Sequence, residues 1–151
     1  MLTPGELAPD FQILDDEGKL VRLSDFRGKK VVIYFYPEDF TSGCELQACS
    51  FRDAYPQIAA KNAIVLGVSH NSVERHKEFR EALNLPFHLL VDTDLNLTKS
   101  WNCYGTRPKP DGTTYEGVIR GQYVISEDGH VLDVQVPVKP ADSTPLALEK
   151  L

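Results

Sequence analysis

Val31-Val32-Ile33-Tyr34-Phe35-Tyr36-Pro37-Glu38-Asp39-Phe40-Thr41-Ser42-Gly43-Cys44 is the segment that decides how this chain folds. Its first six residues are β-branched or aromatic and are closed by a proline, the pattern of a buried parallel strand rather than a helix. From Cys44 to about Ile58 the apolar residues Leu46, Cys49, Phe51, Ala54, Tyr55 and Ile58 recur close to helical spacing. Cys44 is therefore predicted in the first turn of a helix at the carboxyl edge of a sheet.

That address carries chemistry. The unpaired N–H groups and the positive dipole end of a helix N-terminus favour an anion, and a thiolate is one. Most free cysteines are small buried hydrophobes. Here Pro37, Thr41, Ser42 and Gly43 instead describe a tight, polar, partly open loop, which a simple hydrophobic slot does not need.

Cys49 follows five residues later. On an ideal helix it is rotated by about 140° from Cys44, with the Cα atoms about 8.6 Å apart. A disulfide needs less than about 7 Å. Joining the two requires the first turns to unwind, which helix ends permit at low cost. While the helix is intact, Cys49 is expected as a core residue on the face of Leu46 and Phe51.

Pro37, Thr41 and Cys44 match the Pro-x-x-x-Thr-x-x-Cys signature of peroxiredoxins, and Cys49 matches the second cysteine of the bacterioferritin-comigratory-protein, or Q-type, subfamily. The resemblance extends to Ala8-Pro9-Asp10-Phe11, Leu23-Ser24-Asp25-Phe26-Arg27-Gly28-Lys29, Val68-Ser69 with His76 and Phe79, and Gly117-Val118-Ile119-Arg120, and it runs to about residue 136. It implies a peroxidase in which Cys44 attacks the peroxide O–O bond and becomes a sulfenic acid. Thr41 would hydrogen-bond the peroxide, Pro37 would shield the thiolate, and Arg120 would supply fixed positive charge. Cys49 would resolve the sulfenic acid as an intramolecular disulfide, which thioredoxin or a similar dithiol would reduce. The implied chemistry uses no metal and no organic cofactor, and the subfamily resemblance favours a monomer over a dimer formed through the active-site face.

The residues themselves also bear plainer readings. Arg is usually a solvated residue, and Arg52 and Arg107 compete for the role of Arg120. What singles out Arg120 is its expected place inside the apolar strand Val118–Ile125, where a charge needs a partner or a function. Pro37 also suits a strand terminator and Thr41 a helix start. Four positions depart from the family pattern: Gln47 stands for a frequent glutamate that would orient the arginine, Ser42 for a proline, Gln122 for a threonine and Asn71 for an aspartate. None removes a reacting atom, but Gln47 implies a polar network that is looser or differently wired.

Cys103, in Ser100-Trp101-Asn102-Cys103-Tyr104-Gly105, is the odd thiol; packing is its expected role, with alternative resolving or glutathionylation left open. Three cysteines without even pairing point to a reducing compartment. His70, His76, His88 and His130 show no close ligand-pair spacing for zinc.

The 151 residues, 42% hydrophobic, are expected to form one domain spanning 1–151. No long apolar run suits a membrane span, and the N-terminal residues lack signal-peptide regions, so a cytoplasmic location is expected. A net charge of −6 with no basic stripe argues against nucleic acid and anionic lipid. Phe11–Leu14 and Lys19–Leu23 read as a hairpin, followed by strand 31–36, helix 43–58 and strand 63–69. Asn71-Ser72-Val73-Glu74 resembles a capping box opening a helix to about Leu83. A strand at 88–91, a short helix at 94–101 and a hairpin of 120–126 with 130–136 come next, and one short helix is expected after Thr144. Helices between the early strands imply right-handed parallel crossovers and the late hairpin an antiparallel edge. The fold class is α/β: a thioredoxin-like mixed sheet flanked by helices, with an added N-terminal β-hairpin.

Three functions fit the thiol pattern. A thiol-dependent peroxidase leads. A thioredoxin-type disulfide oxidoreductase would be expected to carry Cys-x-x-Cys, and four residues separate Cys44 from Cys49. A redox sensor or chaperone-like module would use the same switch but react only once per oxidation.

Overall fold

The computed structural model describes residues 2–151. Among these, nine strands and four α-helices follow in the order β1 (Gln12–Asp15), β2 (Leu20–Arg22), β3 (Lys30–Phe35), α1 (Ser42–Ala60), β4 (Ala63–Ser69), α2 (Val73–Leu83), β5 (His88–Val91), α3 (Asn96–Ser100), β6 (Tyr104–Pro108), β7 (Thr114–Val118), β8 (Gly121–Ile125), β9 (Val131–Gln135) and α4 (Pro140–Lys150). A 3-10 turn at Leu23–Phe26 leads from β2 towards β3.

Seven strands form one sheet in the order β2-β1-β5-β4-β3-β8-β9. β3 pairs in parallel with β4, and β4 with β5, because α1 and α2 carry the chain back between them. β8 is antiparallel to β3 and β9 to β8. The N-terminal hairpin β1–β2 joins the sheet antiparallel to β5.

β3 is at the centre and its apolar run has two uses. Because successive side chains alternate across a sheet, Val32, Tyr34 and Tyr36 pack towards Phe51 and Ile58 of α1, Phe79 of α2 and Ala147 of α4. Val31, Ile33 and Phe35 pack on the other face, with Leu23, Leu97, Trp101 and Cys103. A strand covered on both faces has no polar alternation to show, which is why a continuous apolar run identified it. Gly67 of β4 makes room for this packing, since a Cβ there would come within 2.9 Å of the Tyr34 hydroxyl and 2.8 Å of Leu89.

Several expectations need correction. The polar segment before Val118 forms a separate two-stranded sheet, β6 with β7, closed around Lys109–Thr113. Its residues are half-buried or exposed and carry little period-2 apolar signal. Arg120 consequently lies in the short connection between β7 and β8, outside the strand it was expected to occupy. The last helix starts at Pro140, ahead of Thr144, and runs through Pro145. Proline fits the first helical position, where its missing N–H would be unpaired anyway; the interior proline normally breaks a helix, and packing of α4 on α1 offsets it. Ser72 does cap α2, accepting from the Arg75 N–H at 3.2 Å. The third helical residue is that arginine, so the reciprocal half of a capping box is missing.

The buried face of α1 also differs. It runs through Cys44, Gln47, Ala48, Phe51 and Ile58, while Leu46 is 53% exposed and Cys49 half-buried. The series i, i+3, i+4, i+7 is intact, but it passes through a glutamine.

Candidate active site

The loop Tyr36–Thr41 joins the carboxyl end of β3 to α1, and a buried network holds it. Asp39 accepts a hydrogen bond from the Tyr36 hydroxyl at 2.5 Å, and its other carboxylate oxygen lies 2.6 Å from His76 Nδ1. Its backbone N–H donates to Asn71 Oδ1 at 2.9 Å, and the Ser69 hydroxyl donates to the same oxygen at 2.8 Å. His76 Nε2 lies 2.8 Å from the Leu90 carbonyl. The side chains of His76 and Asp39 are fully shielded from solvent. Two strands, β4 through Ser69 and β5 through Leu90, and α2 thus converge on one loop residue.

The next residue turns the chain. Phe40 has φ of 63°, a left-handed conformation uncommon for a bulky residue. Its ring packs edge-on against Phe79 at 5.0 Å, and the Arg75 guanidinium lies over it at 4.2 Å. Thr41 is then the N-cap of α1 with extended backbone, but its side chain caps nothing; the hydroxyl donates to the Glu38 carbonyl at 3.0 Å. Both lone pairs of that hydroxyl stay free, on an exposed residue at the mouth of the site. Pro37 opens the same loop and is half-buried.

Cys44 lies in the first turn of α1, at the predicted address, and is 1% exposed. Arg120 Nη2 lies 3.4 Å from its Sγ. Gly43 permits the approach, since a Cβ there would meet Arg120 Nη2 at 3.3 Å and Pro140 at 3.5 Å. The other arm of the guanidinium, Nη1, donates to Gln47 Oε1 at 2.6 Å. Gln47 Nε2 donates to the Ser143 hydroxyl at 2.9 Å, Ser143 donates to Gln122 Oε1, and Gln122 Nε2 donates to the Ser143 carbonyl at 2.8 Å. The network around the arginine runs through Gln47, Ser143 and Gln122, and it is closed. Ser143 gave no signal in the sequence, because the helix that carries it was expected to begin beyond it.

Arg120 also lines an open groove of about 530 Å³, together with Arg107, Gln135, Val138, Lys139 and Leu146 among others. Arg107 thus shares the lining of this groove with Arg120, and it is Arg120 whose guanidinium meets Cys44. Arg52 is elsewhere, bonded to Asp53 and to the Leu83 carbonyl.

All three cysteines are free. Cys49 is on α1 beyond Gln47. Cys103 is 0% exposed among Phe35, Trp101 and Tyr123 on the opposite face of the sheet from Cys44. Burial pushes its thiol far above the ordinary range. Asp15, Asp16 and His88 bring ligand atoms within 4.8 Å of one another, a grouping hidden in the sequence by the distance between them. Arg80 already donates to Asp16 at 3.0 Å and the Leu89 N–H donates at 3.1 Å, so the carboxylate is committed to protein donors. Among the described residues no helix is long and apolar enough to cross a membrane.

A sheet of this topology with a thiol at a helix N-terminus beside an arginine defines a thioredoxin-like thiol protein. The chain belongs to the AhpC/TSA family, whose profile matches residues 4–134. It is 40% identical over 147 residues to peroxiredoxin Bcp of Bacillus subtilis, covering 97% of this chain and 93% of that protein. Among solved structures it resembles peroxidoxin BcpB from Mycobacterium tuberculosis, with a TM-score of 0.87 and 29% identity over 99% of this chain and 96% of that one. A Xanthomonas campestris bacterioferritin comigratory protein, described for its alkyl peroxide reduction activity, gives a TM-score of 0.85 and 27% identity over 92% of this chain and 88% of that one.

Proposed function

We propose that this chain is a thiol-dependent peroxidase in which Cys44 is the attacking thiol. The observation that carries the reading is Arg120 Nη2 at 3.4 Å from Cys44 Sγ, at the N-terminus of α1. Backbone dipoles and a guanidinium both set positive charge beside the sulfur, and the same guanidinium is placed to stabilise charge on the breaking O–O bond. The thiolate attacks one peroxide oxygen; the O–O bond breaks, the sulfur is oxidised to a sulfenic acid, and the leaving oxygen takes a proton and departs as water or an alcohol. Thr41 offers a free acceptor and a rotatable hydroxyl to orient the peroxide, and Pro37 closes the loop against water.

Cys49 then condenses with the sulfenic acid, releasing one water and forming the disulfide. The step requires the first turns of α1 to open, because the ideal-helix separation of about 8.6 Å exceeds disulfide reach. Cys103 is a poor competitor, since the sheet stands between it and Cys44. A dithiol such as thioredoxin returns two electrons and two protons, which suits a reducing compartment such as the cytoplasm. Hydrogen peroxide and organic hydroperoxides are the substrate class, the latter consistent with the activity described for the Xanthomonas relative.

Peroxide consumption with a thioredoxin system tests this reading. Many turnovers by wild type, and a single equivalent consumed by Cys49→Ser, are expected. Arg120→Ala should slow the oxidation of Cys44 by about a hundredfold. Undiminished turnover in Cys49→Ser would remove it as the resolving residue, and a single turnover by wild type would favour a sensor.

A further inference from the structure

Gln47 poses a problem of orientation. Arg120 can only donate, so Gln47 must present its oxygen. An amide is nearly symmetrical in shape, and presented the other way round it would set an NH2 group against the guanidinium. Gln47, Ser143 and Gln122 are all 0% exposed, so solvent does not arbitrate.

The surrounding bonds decide the matter in a fixed sequence. The Ser143 backbone carbonyl can only accept, so Gln122 turns its Nε2 towards it, at 2.8 Å. Gln122 Oε1 then faces the Ser143 hydroxyl, which spends its only proton there. The hydroxyl has lone pairs left and accepts from Gln47 Nε2 at 2.9 Å. Gln47 is thereby left with Oε1 towards Arg120, at 2.6 Å, and the second arm of the guanidinium meets Cys44 Sγ. Each link has one consistent direction.

We infer that Ser143 and Gln122 are positioning residues for the Cys44 reaction: anchored on a backbone carbonyl of α4, they fix the amide orientation of Gln47 and so the aim of Arg120. The inference rests on the peroxidase reading of the site. It makes the C-terminal helix part of the machinery rather than only a cover for α1. A carboxylate at position 47 would accept through either oxygen and would need no such relay, and this separates orientation from packing.

The test is the second-order rate constant for oxidation of Cys44 by hydrogen peroxide, with thermal midpoints recorded, in wild type, Ser143→Ala, Gln47→Glu and the Gln47→Glu/Ser143→Ala double variant. Ser143→Ala should be slower by on the order of tenfold. The double variant should return to within about twofold of Gln47→Glu alone. Gln122→Leu, which keeps the volume but removes the acceptor for the serine proton, should repeat the loss and the rescue, and it carries the test if Ser143→Ala does not fold. Wild-type rates in Ser143→Ala and Gln122→Leu overturn the inference, as does a loss that persists at full size beside Gln47→Glu, the mark of a packing role. A wild-type Cys44 that peroxide does not oxidise overturns the peroxidase reading itself, a different result from a fast wild type with equally fast variants.

Discussion

Cys44 and Cys103 are both buried to within 1% of full enclosure, yet they occupy opposite faces of one sheet and opposite chemical situations. Around Cys103 are Phe35, Trp101 and Tyr123, and its thiol reaches only the Trp101 carbonyl, at 3.5 Å. Around Cys44 are a helix N-terminus and a guanidinium held by three further side chains. Burial does not separate the thiol proposed to react from the one expected only to pack. What separates them is whether the enclosing groups stabilise an anion.

The sharpest way to break this contrast is to exchange the sulfurs for oxygen one at a time. Cys44→Ser should reduce peroxide turnover by at least about a thousandfold, as loss of a nucleophile does. Cys103→Ser should retain turnover to within about twofold while losing on the order of 1–2 kcal/mol of stability, because a hydroxyl is placed in an apolar pocket. Equal losses in the peroxide assay would mean that the two faces are not chemically distinct.

Next in size is the support behind the Cys44 loop. His76→Ala leaves the fully buried Asp39 carboxylate without its partner on α2 and should cost about 3 kcal/mol, roughly 10 °C in Tm. Turnover should fall as well in the protein that remains folded, since Asp39 anchors the segment from Pro37 to Thr41. An unchanged Tm would show that the loop is held by Tyr36 and Asn71 alone.

A polar cluster remote from both thiols gives a pH signature. Burial alone would raise Asp16, but hydrogen bonds from His88, the Leu89 N–H and Arg80 outweigh it and hold the carboxyl at about 2. His88 is raised, chiefly by its hydrogen bond to Asp16. A depressed carboxyl contributes stability above its unfolded value near 4, and that contribution is lost as pH falls through about 2. A raised histidine contributes below its unfolded value near 6.5, and that part fades as pH rises through its folded value. The cluster should therefore contribute most between about pH 4 and 6.5, with about 2 kcal/mol from Asp16 lost below it. Thermal denaturation of Asp16→Asn against wild type from pH 2 to 8 should show a flatter acid limb in the variant; parallel curves would refute the linkage.

The smallest expected change runs the other way. The Tyr34 hydroxyl is buried with no hydrogen-bond partner, and burial drives its ionisation well above the ordinary range. Tyr34→Phe keeps the stacking on Phe51 and should raise stability by about 1 kcal/mol in a denaturant titration. A loss of stability would mean that the hydroxyl has a partner.

What was legible in the sequence follows from where the physics is local. The run from Val31 to Tyr36 announces a strand buried on both faces, and the polar turn after it places Cys44 at a helix start, since both depend on neighbouring residues alone. The β6–β7 hairpin was not legible, because Gly105, Thr106, Arg107 and Glu116 carry no core face to detect. Arg120 became a candidate through the family resemblance, and the independent hint for it, a place within a strand, was mistaken. Gln47 was noticed as unusual, but its partner Ser143 lies 96 residues away, and only the fold brings them together. The start of α4 at Pro140 was hidden by a second proline whose cost is offset by tertiary packing.

The position of Cys49 on an intact helix has an electrochemical consequence. In the disulfide proposed between Cys44 and Cys49, the opening of α1 withdraws Cys44, Gln47 and Ala48 from sites where each is buried. Most structural cross-links favour the folded chain; this one would work against it, so the dithiol is the better-packed partner of the couple. A reduced form stabilised relative to its disulfide makes an oxidising couple, and each kcal/mol of packing regained on reduction raises its potential by about 20 mV. The helix that must unwind to complete one cycle would thereby also supply the driving force that lets an external dithiol begin the next.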